Sequence, residues 1–147
     1  MSYTHGTTTF KKDVASESRD SYATSPALMY ASAGYAVAMP DYVGLGKGPG
    51  VHPWMHMATQ TSASLDMLRA AREFAVDKGR TLERKVYVTG FSQGASCALG
   101  LARALQDGQD SWFDLEAVAP ISGAYDFAGT ELPALLEGRL EPRSSVA

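Results

Sequence analysis

Apolar and polar positions along the chain fall into short blocks separated by glycine and proline. "SYTHGTTT" (residues 2–9) reads as the end of a strand running into a loop, and Lys11 to Asp20 is polar and reads as an exposed connection. "TSPALMYASAG" carries the punctuation of a short helix: Ser25 is placed to cap it, Pro26 suits its first position, and Gly34 suits a left-handed stop. "YAVAMP", Tyr35 to Pro40, reads as a short buried strand. "DYVGLGKGPGVHPWMH" is rich in glycine and proline and reads as a long loop. From about Thr59 to Lys78 a helix is expected, with Leu65, Leu68, Arg72 and Ala75 on one face, Phe74 flanking it and Gly79 ending it. "KVYVTG" is the next strand. The helix after it places Leu99, Ala102 and Leu105 in phase, and Gly108 is its expected C-terminal stop. "LEAVAPISG" reads as another buried strand, and "TELPALLEG" as a short helix opening at Thr130. Residues 138–147 carry little apolar content and are expected to fray.

Strands therefore alternate with helices, and the strands are nearly continuous apolar runs. That pattern predicts an α/β fold, a parallel sheet with helices on both faces. The chain has 147 residues, enough for a single domain and its core, and no internal repeat or domain boundary is visible.

Composition narrows the partners. Charged residues make up 20% and the net charge is −3, with no basic run, which argues against nucleic acid. No apolar run is long enough for a transmembrane helix. The first residues, "MSYTHGTTTFKKD", lack the apolar core of a signal peptide. Cys97 is the only cysteine, so no internal disulfide can form and the redox compartment stays open. The sequence points to no oligomeric state and to no cofactor.

The most informative stretch is "KVYVTGFSQGAS", where a β-branched strand runs into Gly90-Phe91-Ser92-Gln93-Gly94. A side chain projecting from so sharp a strand-to-helix turn forces its own backbone into a strained conformation. Bulky residues two places before and after would collide, so glycine is favoured at both. The N–H groups of the following helix point toward the serine, and that of Gln93 is placed to stabilise an oxyanion on an attacked carbonyl. Upstream, His5-Gly6-Thr7 follows a strand, and its glycine lets a backbone N–H turn toward the same point.

With these motifs the chain resembles the α/β-hydrolases, in particular the secretory-lipase and esterase branch, which is also similar to prolyl-oligopeptidase-like hydrolases. The matching stretches are "YTHGTT", "GYAVAMPDYVGLG", "HPW", "SLDMLRAAR", "VYVTGFSQGAS" and "APISGAYDF", in the family's order. The resemblance implies that Ser92 is the nucleophile in a lipase or carboxylesterase acting on small-molecule or lipid esters. It implies an oxyanion hole made by the N–H groups of Gln93 and of Thr7 or Gly6. It also implies a pocket mouth shaped by Asp41 to Gly46 and lined by His5, Asp41, Tyr42, His52 and Phe91. Secretion is suggested by the family only. The chain is expected to be a partial α/β-hydrolase domain running from the third to about the sixth strand, with sheet edges that limit solubility.

The activating groups are the open question. A serine hydroxyl needs a base, and the base needs an orienting acid, in the chain order Ser, Asp or Glu, His. The three histidines, His5, His52 and His56, all precede Ser92. Asp126, in "SGAYDF", is either the acid or a loop residue capping nearby N–H groups. Three readings follow: an ester hydrolase, a peptidase of the same fold, and a truncated hydrolase without catalysis.

Other motifs fall away. "GLGKGPG" fails the phosphate-loop pattern because Lys47 is followed by Gly48 and Asp41 stands where the first glycine belongs. His52 and His56 are spaced like a zinc pair, but Pro53 replaces the required glutamate, and no metal is expected. Trp54, Met55 and Met57 either line an apolar acyl pocket or anchor the loop.

Overall fold

A computed structural model of the chain describes residues 1–139. Its element order is β1 (Ser2–Thr4), α1 (Ser21–Ser32), α2 (Met57–Asp77), β2 (Lys85–Phe91), α3 (Gln93–Gln106), β3 (Asp114–Ile121), a π-helical turn (Phe127–Glu131) and α4 (Leu132–Leu136). The three strands form one parallel sheet in the order β1-β2-β3.

Alternation along the strands sorts the helices onto the two faces. Ser2 and Thr4 of β1 are buried, and the Thr4 hydroxyl reaches α3. Tyr3 therefore points the other way, where its ring meets Tyr30 of α1 at 6.4 Å. In β2, Val86 and Val88 face α2 and α3 and join Leu65, Leu68, Ala98, Leu101, Leu105 and Phe113 in the main core. Tyr87 points to the opposite face and meets Tyr35 edge-on at 5.6 Å. The result is a parallel sheet with helices on both faces, a partial α/β-hydrolase fold.

Helix α1 begins earlier than its proline suggests. Its cap is Asp20, not Ser25: the Asp20 carboxylate accepts from Ala23 N–H at 2.8 Å and is held by the Ser18 hydroxyl at 2.7 Å. Pro26 then lies inside the helix. The Lys11–Asp20 connection is not wholly exposed either, because Val14 is buried in a second cluster with Tyr42, Leu45 and Cys97.

Three apolar segments differ from their expected burial. Tyr35–Pro40 contributes only an isolated bridge, Ala38 to Ser2, with hydrogen bonds from Tyr3 N–H to Ala38 O and from Ala38 N–H to Met1 O. Its neighbour β1 is three residues long, and Pro40 has no N–H to extend the ladder. Strand β3 is exposed along most of its length, since it pairs with β2 along one edge only. Ser92 N–H and the Thr89 hydroxyl both reach carbonyls on β3, of Ile121 and Ala119. Val118 and Pro120 therefore face the free edge, where a proline costs no ladder bond. In α3 the buried stripe is Ala98, Leu101, Ala102 and Leu105, whereas Leu99 is 40% exposed.

Helix α2 matches its reading: Leu65, Leu68 and Ala75 are buried, and the Arg72 guanidinium lies over Trp112 at 5.1 Å. The last helical segment opens at Phe127 rather than Thr130, because Asp126 O accepts from both Thr130 N–H and Glu131 N–H in a wide turn. Gly138, at φ 67°, closes α4. The rest of the tail expected to fray, residues 140–147, lies outside the described residues.

Candidate active site

Ser92 stands alone between the end of β2 and the start of α3, with φ 54° and ψ −120°. That region is disfavoured for a residue with a Cβ and costs on the order of 1–3 kcal/mol, so the surroundings must impose it. They do so from both sides. Ser92 N–H donates to Ile121 O at 3.0 Å, and Ala95 N–H donates to Ser92 O at 2.9 Å. The Ser92 hydroxyl makes no capping bond to its own helix.

The two flanking glycines are required by close approach. A Cβ on Gly90 would lie 2.2 Å from Gly94 O and 2.2 Å from the Thr4 hydroxyl. One on Gly94 would lie 1.9 Å from Thr4 O and 2.5 Å from His5 O. The β1 main chain therefore runs directly against the first turn of α3. Thr4 fastens the two, donating its hydroxyl to Gly94 O at 2.6 Å.

This contact brings the His5-Gly6-Thr7 loop to the serine turn. A Cβ on Gly6 would sit 3.2 Å from Phe91 O and 3.3 Å from Phe91 Cδ1. The half-exposed ring of Phe91 and the backbone of Gly6 are thus neighbours. The Thr7 hydroxyl accepts from Trp54 Nε1 at 3.0 Å, and the Trp54 ring meets Phe127 edge-on at 5.5 Å.

His5 is buried, with 8% of its surface exposed. Its Nδ1–H donates to Gly6 O at 2.7 Å, and Nε2 has no partner. Burial lowers its pKa below the usual 6.5, which keeps the ring neutral. The ring stacks on Tyr42 at 4.2 Å, and the Tyr42 hydroxyl donates to His5 O at 2.8 Å. Tyr42 also stacks with His52 at 5.7 Å. His52 Nδ1 lies 3.0 Å from Val43 O, and its Nε2 lies 2.9 Å from the side-chain nitrogen of Gln93.

Asp41 is turned to the loop. It accepts from the Ser16 hydroxyl and packs over Gly46, whose N–H donates to Lys11 O at 2.8 Å. Asp126 is exposed, and its carboxylate accepts from the Thr130 hydroxyl at 2.6 Å within its own turn. His56 heads α2 and lies 3.3 Å from the Thr59 hydroxyl. The structure thus gathers Gly6, Phe91, Gln93, His5, Tyr42 and His52 around the serine turn. None of the bonds described for the three histidines is to the Ser92 hydroxyl.

Among the described residues no group of three His, Cys, Asp or Glu side chains could hold a metal ion. His52 and His56 do not converge, each being bonded elsewhere. No described helix is long and apolar enough to cross a membrane. The larger cavity, about 840 Å³, lies at the opposite end of β2, between Tyr35, Met67, Phe74, Tyr87 and Phe113. A second, about 550 Å³, lies under the loop, against Asp41 to Leu45. Ser92 lines neither.

Two contributors had no signal in the sequence. Thr4 is one of two threonines in the described strands, and its reach to Gly94 O follows only from the β1–α3 approach. The Gln93 side chain is bonded to a residue on a distant loop, a pairing that no local pattern marks.

A parallel sheet carrying a strained serine turn at the head of a helix, with a His-Gly loop against it, defines an α/β-hydrolase. The family model for secretory lipases matches residues 15–122, and the chain belongs to that family. It is similar to a solved protein from Legionella pneumophila, at 35% identity and a TM-score of 0.76, over 83% of this chain and 33% of that one. It is likewise similar to the rice cell wall degrading esterase LipA from Xanthomonas oryzae, at 33% identity and a TM-score of 0.74, over 90% of this chain and 36% of that one. A ligand-bound form of that esterase matches at 30% identity and a TM-score of 0.67, over 84% of this chain and 32% of that one. The chain thus spans about a third of the length of these structures. A comparison with curated proteins gives no match.

Proposed function

We propose that the chain carries the nucleophile half of a carboxylic-ester hydrolase of the lipase or esterase type. Ser92 attacks the ester carbonyl. The N–H of Gln93 and that of Thr7 or Gly6 hold the oxyanion, and water then releases the acyl group from the serine. The observation that carries the reading is the backbone of Ser92, φ 54° and ψ −120°, fixed between two glycines that no larger residue can replace. Strain of this kind persists where the surroundings over-determine it, and it turns an unbonded hydroxyl outward. Family membership supports the ester chemistry, and the family's name supports an extracytoplasmic site of action.

Asp126 lies just past the end of β3, where the fold can carry the acid of the triad, although its carboxylate is bonded to Thr130. None of the bonds of His5, His52 or His56 described above reaches the Ser92 hydroxyl, as a base would. That same observation favours a second reading, a chain that keeps the serine turn without turning over. A peptidase of the same fold shares every feature of the turn.

The purified chain is tested with an activated short-chain ester beside Ser92→Ala. Turnover that disappears in the variant supports the hydrolase. Equal rates in both proteins refute it, and no turnover in either favours the second reading.

A further inference from the structure

His5, Tyr42, His52 and Gln93 form an unbroken run of contacts from the His5-Gly6-Thr7 loop to the first turn of α3. Its two ends are the backbone segments that carry the two oxyanion donors. Tyr42 and Gln93 are 1% and 3% exposed, and His52 between them is half-buried.

The chemistry of each link can be assigned. Val43 O can only accept, so Nδ1 of His52 carries the proton. In the neutral ring Nε2 is then an acceptor, and the Gln93 amide N–H donates to it. Imidazole suits this position because it donates at one nitrogen, accepts at the other, and offers a flat face to stack. The loop is shaped to deliver it. A Cβ on Gly44, at φ 81°, would lie 2.4 Å from the His52 N, so the chain folds back tightly on itself there. Without His52, the Gln93 amide would be a buried polar group lacking this partner.

We propose that His52 is a positioning residue. Braced by Tyr42 and Val43 O, it fixes Gln93, and with it the head of α3, relative to the His5-Gly6-Thr7 loop. That sets the gap between the two oxyanion donors. The catalytic consequence rests on the esterase reading, whereas the bonds themselves do not.

The test uses the full chain with His52→Leu, which removes both bonds, and His52→Gln, which restores an acceptor near the Nε2 position. Nitrogen–proton NMR of the wild type is expected to show His52 as the Nδ1–H tautomer. The Gln93 side-chain amide signals are expected to move in His52→Leu. In ester hydrolysis, His52→Leu is expected to lower kcat about 10- to 100-fold with KM nearly unchanged, because the misplaced donors act mainly in the transition state. His52→Gln is expected to recover part of that loss. An Nε2–H tautomer in the wild type overturns the proposal. So does a folded His52→Leu with unmoved Gln93 signals, or one that keeps the wild-type kcat. If Ser92→Ala hydrolyses as fast as wild type, the esterase reading has failed instead, and the NMR alone decides the His52–Gln93 bond.

Discussion

Replacing Gly94 by alanine tests whether the serine turn is built as described. The new Cβ would lie 1.9 Å from Thr4 O and 2.5 Å from His5 O, whereas ordinary contact begins near 3.4 Å. Both obstacles are main-chain carbonyls of β1 and the loop that continues it. The β1 strand is held in register by the ladder that pairs Thr4 with Gly90, so no side-chain rotation relieves the clash. The helix must back away from the strand, and the Thr4–Gly94 hydrogen bond must stretch. Overpacking that moves backbone costs roughly 1–3 kcal/mol or more, and the hydrogen bond adds about 1 kcal/mol. The gain from removing a helical glycine offsets about 1 kcal/mol of this. The last two terms cancel, so the net expectation is a loss of roughly 1–3 kcal/mol or more, a large share of a domain's stability. Gly100→Ala in the same helix is the control. Its Cβ meets only the Thr61 hydroxyl, at 2.4 Å, which can rotate away, so it should stay within about 1 kcal/mol of wild type. Urea unfolding followed by far-UV circular dichroism measures both. A Gly94→Ala chain as stable as the control would refute the close approach of β1 and α3.

Ser92→Gly relieves the strained backbone. It should raise the urea midpoint by the equivalent of about 1 kcal/mol, net of glycine's added chain entropy, while abolishing any reaction at this position. His5 is depressed by burial, so the unfolded chain takes up its proton first. Stability should therefore fall as pH drops below about 6.5, a loss that a His5→Gln chain lacks in thermal melts across that range. The Cys97 thiol is pushed up to about 11 by burial. At pH 8 a disulfide reagent should leave the native chain unmodified and react promptly in denaturant.

What was legible in the sequence was local. The serine turn announces itself because strand, two glycines and helix are contiguous, and α2 because its apolar stripe repeats at helical spacing. The misreadings arose where distant packing decided the outcome. Pro26 looked like a helix start, yet the Asp20 carboxylate captured the N–H of Ala23 first. Tyr35–Pro40 and β3 are apolar enough for buried strands, but burial depends on what pairs with and covers them. Here β1 is too short to draw Tyr35–Pro40 into a ladder, and β3 has a neighbour on one side only. Leu99 fits one helical stripe as well as another, and only the direction of the sheet selects Leu101. The run from His5 to Gln93 joins loops far apart in sequence, and no spacing rule reveals it.

The most direct measurement of the central claim is the intact mass of the folded chain after exposure to a fluorophosphonate, followed by peptide mapping. The account predicts one adduct, on Ser92, absent from Ser92→Ala. A folded chain that takes up no label, or takes it up equally in the variant, would contradict it.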